Sequence, residues 1–153
     1  MTSHAPPAFP DAVLFACNLN CVRSPMAAAL MRQRFGRRVF VDCCGLRAGV
    51  EPDPFMVAVM DEVGIDLADY RPKTFADLED TSFDLIITLT PEAHHKALEF
   101  ARGFSMDVVY WPTHDPTLFE GGRDQRLVQY RAVRDSLSRR IEERFGRPST
   151  FGG

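Results

Sequence analysis

Lysine is nearly missing from this chain: two of its eighteen basic residues are lysines and sixteen are arginines. The net charge of −3 predicts no surface for nucleic acid or another polyanion, and the arginine bias reads as genome composition. No apolar run approaches the roughly eighteen residues of a membrane span, and no signal-peptide architecture is present, so neither a membrane partner nor export is expected. Cysteine is absent beyond residue 44: all four thiols fall between residues 17 and 44. That crowding is not a secreted disulfide framework, and it points to a reducing, cytoplasmic setting. No histidine stands at zinc-ligand spacing from these cysteines, so no metal site is expected, and no cofactor is called for.

What the 153 residues do contain is an alternation of apolar runs with helical patterns. Length and alternation suit one domain over residues 12–146. A proline-rich leader over residues 1–11 and a tail over residues 147–153 are expected to lie outside the fold and to be flexible. Strands are expected at 12–16, 39–43, 83–89 and 108–110. The first is apolar throughout, as a central strand covered on both faces must be. Helices are expected at 25–35, 53–64, 90–103 and 124–145. Asp53-Pro54 caps the second, and Leu127, Tyr130, Val133, Leu137 and Ile141 stripe the last. Residues 75–78 read as a short helical turn. This order predicts an α/β fold of three layers, a four-stranded parallel sheet flanked by helices, with right-handed crossovers and a ligand site at the strands' C-terminal ends.

The densest chemistry lies at residues 13–27. An apolar strand delivers Cys17, a loop follows, and Arg23-Ser24-Pro25 opens an alanine-rich helix. A loop wrapped into a helix N-terminus aims backbone N–H groups inward and adds the positive end of the helix dipole. Such a concavity holds a phosphate-like oxyanion, and the same field favours a thiolate over a thiol. The planar fork of Arg23 can grip two anion oxygens at once. Ser24 can cap the helix or donate to the Cys17 sulfur, and Pro25 suits the first helical position. The competing reading makes Cys17 a buried strand-end residue and Arg23 a surface one.

Cys17, Asn20, Arg23, Ser24-Pro25-Met26-Ala27 and Leu30 resemble the signature of the low-molecular-weight protein tyrosine phosphatases and the related thiol-dependent arsenate reductases. The likeness extends weakly to about residue 145 and implies a Rossmann-like, flavodoxin-like fold. By this resemblance Cys17 is the nucleophile, Arg23 the phosphate clamp and Ser24 the hydrogen-bond partner of the thiolate. Asn20 holds the loop's shape, and Asn18, Leu19, Cys21 and Val22 complete the anion cradle. The family carries its general acid on an Asp-Pro after the last strand, which Asp115-Pro116 matches; the alternative is an ordinary turn. The loop at residues 45–49 borders the family's pocket and often supplies an aromatic wall. It has none here. Arg47 is expected either to meet an acidic substrate group or to be solvated, and Phe119 is the ring left to stack on an aromatic substrate.

The chain also departs from the family. Leu19 replaces a glycine and tolerates positive φ poorly, so the loop either differs in shape or stores strain. A thiol commonly found just before the clamp arginine has moved from Val22 to Cys21, the position of the family's substrate-shape residue. Cys43 replaces a serine and Tyr70 a histidine of the network behind Asn20. Thr90 stands where thioredoxin-coupled reductases keep a resolving cysteine. His94, His95 and His114 are expected to be ordinary, with His114 beside the acid. The resemblance implies a metal-independent phosphomonoesterase acting on a phosphorylated protein, phosphotyrosine by analogy, or on a small phosphoester. The alternatives are an arsenate reductase coupled to a small external thiol, and a non-catalytic phosphate-binding module.

Overall fold

The computed structural model describes residues 9–146. Strand β1 (Ala12–Cys17) is buried at all six positions, which its unbroken apolar sequence requires. It is flanked by β2 (Phe40–Gly45) and β3 (Leu85–Thr88), with β4 (Asp107–Tyr110) outside β3; the order is β2-β1-β3-β4 and each adjacent pair is parallel. The two-residue period of β1 separates the two cores. Val13, Phe15 and Cys17 face helices α1 (Arg23–Phe35), α2 (Pro54–Asp61) and α4 (Arg123–Phe145). Ala12, Leu14 and Ala16 face α3 (Pro91–Phe100) and the short turn at Phe75–Asp77. This is the expected three-layer sandwich. No described helix is long and apolar enough to cross a membrane.

Three boundaries differ for local reasons. Helix α1 begins at Arg23, two residues before Pro25, with Val22 at the cap and no side-chain capping bond. Pro25 is still tolerated, because the first four N–H groups of a helix have no partner within it. Phe83 and Leu89 are buried outside β3 rather than in it. Residues 9–11 belong to the packed chain rather than to a flexible leader. The Phe9 ring lies 5.2 Å from that of Phe35 and 5.8 Å from that of Phe145. The Asp11 carbonyl accepts from Phe40 N at 2.9 Å. The rest of the expected leader and the expected tail lie outside the described residues.

Candidate active site

The loop joining β1 to α1 is held from outside by its carbonyls. Leu46 N donates to Cys17 O at 3.2 Å, Arg47 N to Asn18 O at 3.0 Å, Gly49 N to Leu19 O at 3.0 Å and Asp53 N to Cys21 O at 3.2 Å. A peptide plane sets each N–H opposite the preceding carbonyl. The amides of residues 18, 19, 20 and 22 are therefore turned toward the concave side. Those of Leu19 to Val22 have no acceptor among the described residues. The β2 end must come very close for this: a β-carbon on Gly45 would stand 2.8 Å from both Asn18 O and Asn20 N. With the first N–H groups of α1, these amides form an anion cradle.

The left-handed residue of the loop is Asn20, at φ 59°, the only described non-glycine with positive φ. Of the two outcomes open at Leu19, a different loop shape or stored strain, there is no positive-φ strain at this residue, since Leu19 does not take that conformation. Asparagine tolerates it because its short polar side chain can bond locally. Asn20 is fully buried behind the cradle. Its Oδ1 accepts from the Tyr70 hydroxyl and from Lys73 N, the latter at 2.9 Å, and its Nδ2 donates to Ser24 Oγ at 2.8 Å. Ser24 Oγ lies 2.9 Å from Cys17 Sγ. Ser24 makes no side-chain capping bond, and its Oγ also donates to Cys44 O at 3.3 Å.

Arg23 and Asp115 meet across the cradle. Trp111 N bonds Thr88 O at 2.7 Å and Thr113 N bonds Leu89 O at 3.1 Å, so the segment after β4 runs back along the end of β3. Arg23 Nη1 donates to Thr113 O at 2.9 Å, and its Nη2 lies 3.8 Å from Asp115 Oδ2. Asp115 Oδ1 accepts from Thr117 N at 2.9 Å and from Thr117 Oγ1 at 2.7 Å. One carboxylate oxygen is thus fixed and the other faces Arg23.

These groups open on a cavity of about 440 Å³. Cys17, Asn18, Leu19, Cys21, Val22 and Arg23 line it, as do Arg47 and Asp115. Asn20 and Ser24 stand behind it rather than on its wall, and Phe119 lies outside it. Among the described residues no aromatic ring lines the cavity. The far wall comes from residues 49–54 and from Thr117. From the sequence Asp53 is legible only as a helix cap. It does cap α2, accepting from Phe55 N at 2.8 Å, but its Oδ2 also accepts from Tyr130 of α4 at 2.8 Å. That bond spans 77 residues and leaves no local signal.

Cys21 sits against Gly49, where a β-carbon would overlap its sulfur. Burial, and then the nearby Cys17, push its thiol above the usual range. Thr90 Oγ1 donates to Asn18 Oδ1 at 2.7 Å while capping α3, so this residue ties the loop to the third helix. His94 packs on Tyr110 with Nδ1 2.9 Å from Thr88 Oγ1, and the exposed His95 faces Glu99 on its own helix. His114 is absent from the cavity lining.

Comparison with known proteins agrees with this geometry. A family model described as low molecular weight phosphotyrosine protein phosphatase matches residues 12–146. An arsenate reductase of Halalkalibacterium halodurans is 30% identical over 131 residues, which cover 85% of this chain and 91% of that protein. A probable low molecular weight protein-tyrosine-phosphatase, EpsP of Ralstonia solanacearum, is 36% identical over 78 residues, 50% of this chain and 54% of that one. Among solved structures, an arsenate reductase in the phosphate binding state superposes with a TM-score of 0.73 at 25% identity, covering 91% of this chain and 99% of the other.

Proposed function

Since the chain belongs to the low molecular weight phosphotyrosine protein phosphatase family, we propose that it is a metal-independent phosphomonoesterase working through a cysteinyl-phosphate. The observation that carries this reading is the convergence of Cys17, Arg23 and Asp115 on one cavity, with Arg23 Nη2 3.8 Å from the free carboxylate oxygen of Asp115. The Cys17 thiolate attacks phosphorus and the bond to the leaving oxygen breaks. Loop amides and the Arg23 fork hold the three remaining oxygens as charge redistributes over them. Asp115, protonated at Oδ2, gives its proton to the leaving oxygen. Water then attacks the cysteinyl-phosphate and passes its proton to the same carboxylate. Inorganic phosphate is released and the thiolate leaves toward the Ser24 hydroxyl.

The substrate is a phosphorylated protein or a small phosphoester. The walls formed by Leu19, Val50, Pro52 and Pro54 are aliphatic, so contact with a phosphotyrosine ring rests on these rather than on stacking. The four cysteines are free thiols, which suits a reducing cytoplasm.

Arsenate reduction is the second reading, favoured by the name of the full-length relative from Halalkalibacterium. Arsenate shares the tetrahedral shape and charge of phosphate, so the same cradle fits it. Because residue 90 is a threonine, the two electrons would come from the Cys17 sulfur and a small external thiol such as glutathione: the thiol attacks the Cys17 sulfur, arsenite leaves, and a second thiol reduces the mixed disulfide left on Cys17.

The test is hydrolysis of p-nitrophenyl phosphate without added metal. The wild type turns over, Cys17→Ser does not, and Asp115→Asn falls by roughly 10²-fold, the usual scale of a general acid. No wild-type turnover with phosphate still bound would overturn the phosphatase reading. Arsenite formation from arsenate and glutathione would then mark the second.

A further inference from the structure

Three arginines without a counter-ion stand together at the end of the sheet away from Cys17. Arg32, Arg37 and Arg38 border a second cavity, of about 430 Å³, between the end of α1 and the start of β2. Among the described residues none of the three makes an ion pair. Arg32 Nη2 donates to Val41 O at 2.9 Å, Arg38 lies over the Phe9 ring, and the exposed Arg37 has no side-chain partner among the described residues. The negative end of the α1 dipole amounts to about half a charge, so it offsets only a fraction of three guanidinium charges. The net charge of −3 averages over this local excess and conceals it.

A backbone donor opens on the same place. Strand β2 is at the edge of the sheet. Phe40 N bonds Asp11 O of the segment entering β1, so the N–H groups of Val41, Cys43 and Gly45 point outward. Cys43 N is taken by Asp42 Oδ1 at 2.8 Å and Gly45 N by Lys73 O at 2.9 Å. Val41 lines the cavity, and its N–H has no acceptor among the described residues. The remaining wall is apolar. Phe40 is 47% exposed and stacks on Phe83 with centroids 6.0 Å apart. Phe83 in turn borders a neighbouring cavity with Phe104, which is 68% exposed. Asp11 and Asp84 also border that neighbouring cavity, so the surface runs from a basic end to an aromatic, acidic one.

We propose that this end of the sheet is a docking surface for an acidic segment of a protein partner, with carboxylates on the Arg32, Arg37 and Arg38 guanidinium groups and a following apolar side chain on Phe40. A guanidinium fork grips a carboxylate through two parallel bonds, and Val41 N–H supplies one more donor. Arginine beside exposed aromatic rings is the composition that protein interfaces favour. The acidic residues at the far end set the direction, because carboxylates of the partner are repelled there and held at the arginines. Phe40 begins β2 and Gly45 ends it, so the surface lies about 17 Å from the catalytic edge at ~3.3 Å per residue. A docked partner therefore leaves the Cys17 cavity open, and the inference does not depend on the reaction assigned to Cys17.

The probe is a blocked synthetic peptide that runs from a block of glutamates into leucine and phenylalanine. It is titrated into the isotope-labelled full chain at pH 7 while backbone amide shifts are followed by NMR. Binding is expected to saturate below about 1 mM, to move the amides of Arg37 and Val41, and to leave those of Asn18 to Val22 in place. Arg37→Glu changes an exposed side chain, so the fold should hold. It should weaken binding by about fivefold or more and leave p-nitrophenyl phosphate turnover as in the wild type. Raising the salt from about 0.05 M to about 0.5 M should also weaken binding, as charges on the surface are screened. Alanines in place of the leucine and phenylalanine of the peptide should weaken it further. Shifts confined to Asn18 to Val22 would put the peptide in the catalytic cavity and overturn the proposal. So would binding unchanged in Arg37→Glu, or equal binding of a peptide with lysines in place of the glutamates. A single-stranded oligonucleotide that moved the same amides at lower concentration than the peptide would overturn it in favour of nucleic acid. Binding needs no turnover, so an inactive wild type would defeat the phosphatase reading and leave this test standing.

Discussion

Gly49 and Cys21 share one volume on the wall of the cavity. A β-carbon at residue 49 would overlap the Cys21 sulfur, so the glycine is there for space, and the thiol occupies the place of its missing side chain. Gly49→Ala must push Cys21 into the cavity or displace the 49–53 segment, whose amides hold the loop carbonyls. Overpacking of this kind costs about 1–3 kcal/mol. The expected outcome is a urea midpoint lowered accordingly and a raised KM for p-nitrophenyl phosphate. Adding Cys21→Ala to Gly49→Ala should restore most of both, because it removes the colliding atom. Failure of the second change to rescue would place the strain in the backbone instead. Contacts like this one are silent in sequence: residues 21 and 49 lie on different segments and neither carries a pattern. Cys17, Arg23 and Ser24 are legible because they lie in one loop and one helix turn, where spacing alone sets their relation. Leu19 misleads because the positive φ of the loop falls on Asn20 instead.

Helix α2 has eight residues, too few to be stable alone, and yet its first turn forms part of the cavity wall. It is fastened at both ends to α4. At its start Asp53 caps it and accepts from the fully buried Tyr130. Just past its end, Glu62 pairs with Arg131 at 2.7 Å and Arg134 at 2.8 Å, which hold its carboxyl down at about 2. Glu62 is exposed, so that pair adds little, whereas the Tyr130 bond is worth about 1–2 kcal/mol. The pH dependence has a definite sign. Burial and the Asp53 carboxylate raise the Tyr130 phenol. An unfolded tyrosine loses its proton near pH 10 while the native one keeps it. The contribution of Tyr130 is therefore complete below about pH 10 and shrinks as pH rises beyond it. Tyr130→Phe should lower stability by about 1–2 kcal/mol at pH 7 in denaturant titrations, and the gap from wild type should narrow above about pH 10. A gap that stayed constant to higher pH would mean the phenol does not titrate differently on folding. The amphipathic stripe of α4 was readable from its period, but its partner was not. An apolar stripe demands cover and does not specify which helix supplies it.

At the scale of the whole molecule, the cavity is assembled by three segments leaving the same edge of the sheet: the loops after β1 and β2, and the run after β4. Alternating strands and helices predict that edge, because parallel strands all end on it. They do not predict the order β2-β1-β3-β4, which depends on nonlocal choices of which apolar strand lies against which. The opposite edge is closed differently. Phe9, Phe35 and Phe145 pack ring on ring, and the Arg38 guanidinium lies 3.8 Å from the Phe9 ring centroid. This cluster joins the segment before β1 to the end of α4, and short proline-rich sequence gave no hint of it. The six residues of β1 separate it from Cys17 by about 17 Å at a rise of ~3.3 Å per residue. Stability and chemistry should therefore part company here. Phe9 is only half-buried, so Phe9→Ala is expected to cost about 1–3 kcal/mol, less than a core phenylalanine. In a chain of this size that lowers the thermal midpoint by several degrees. Turnover of p-nitrophenyl phosphate at 25 °C should match the wild type. A fall in kcat at a temperature where Phe9→Ala is fully folded would mean that strain at the closed edge travels along β1 to the loop.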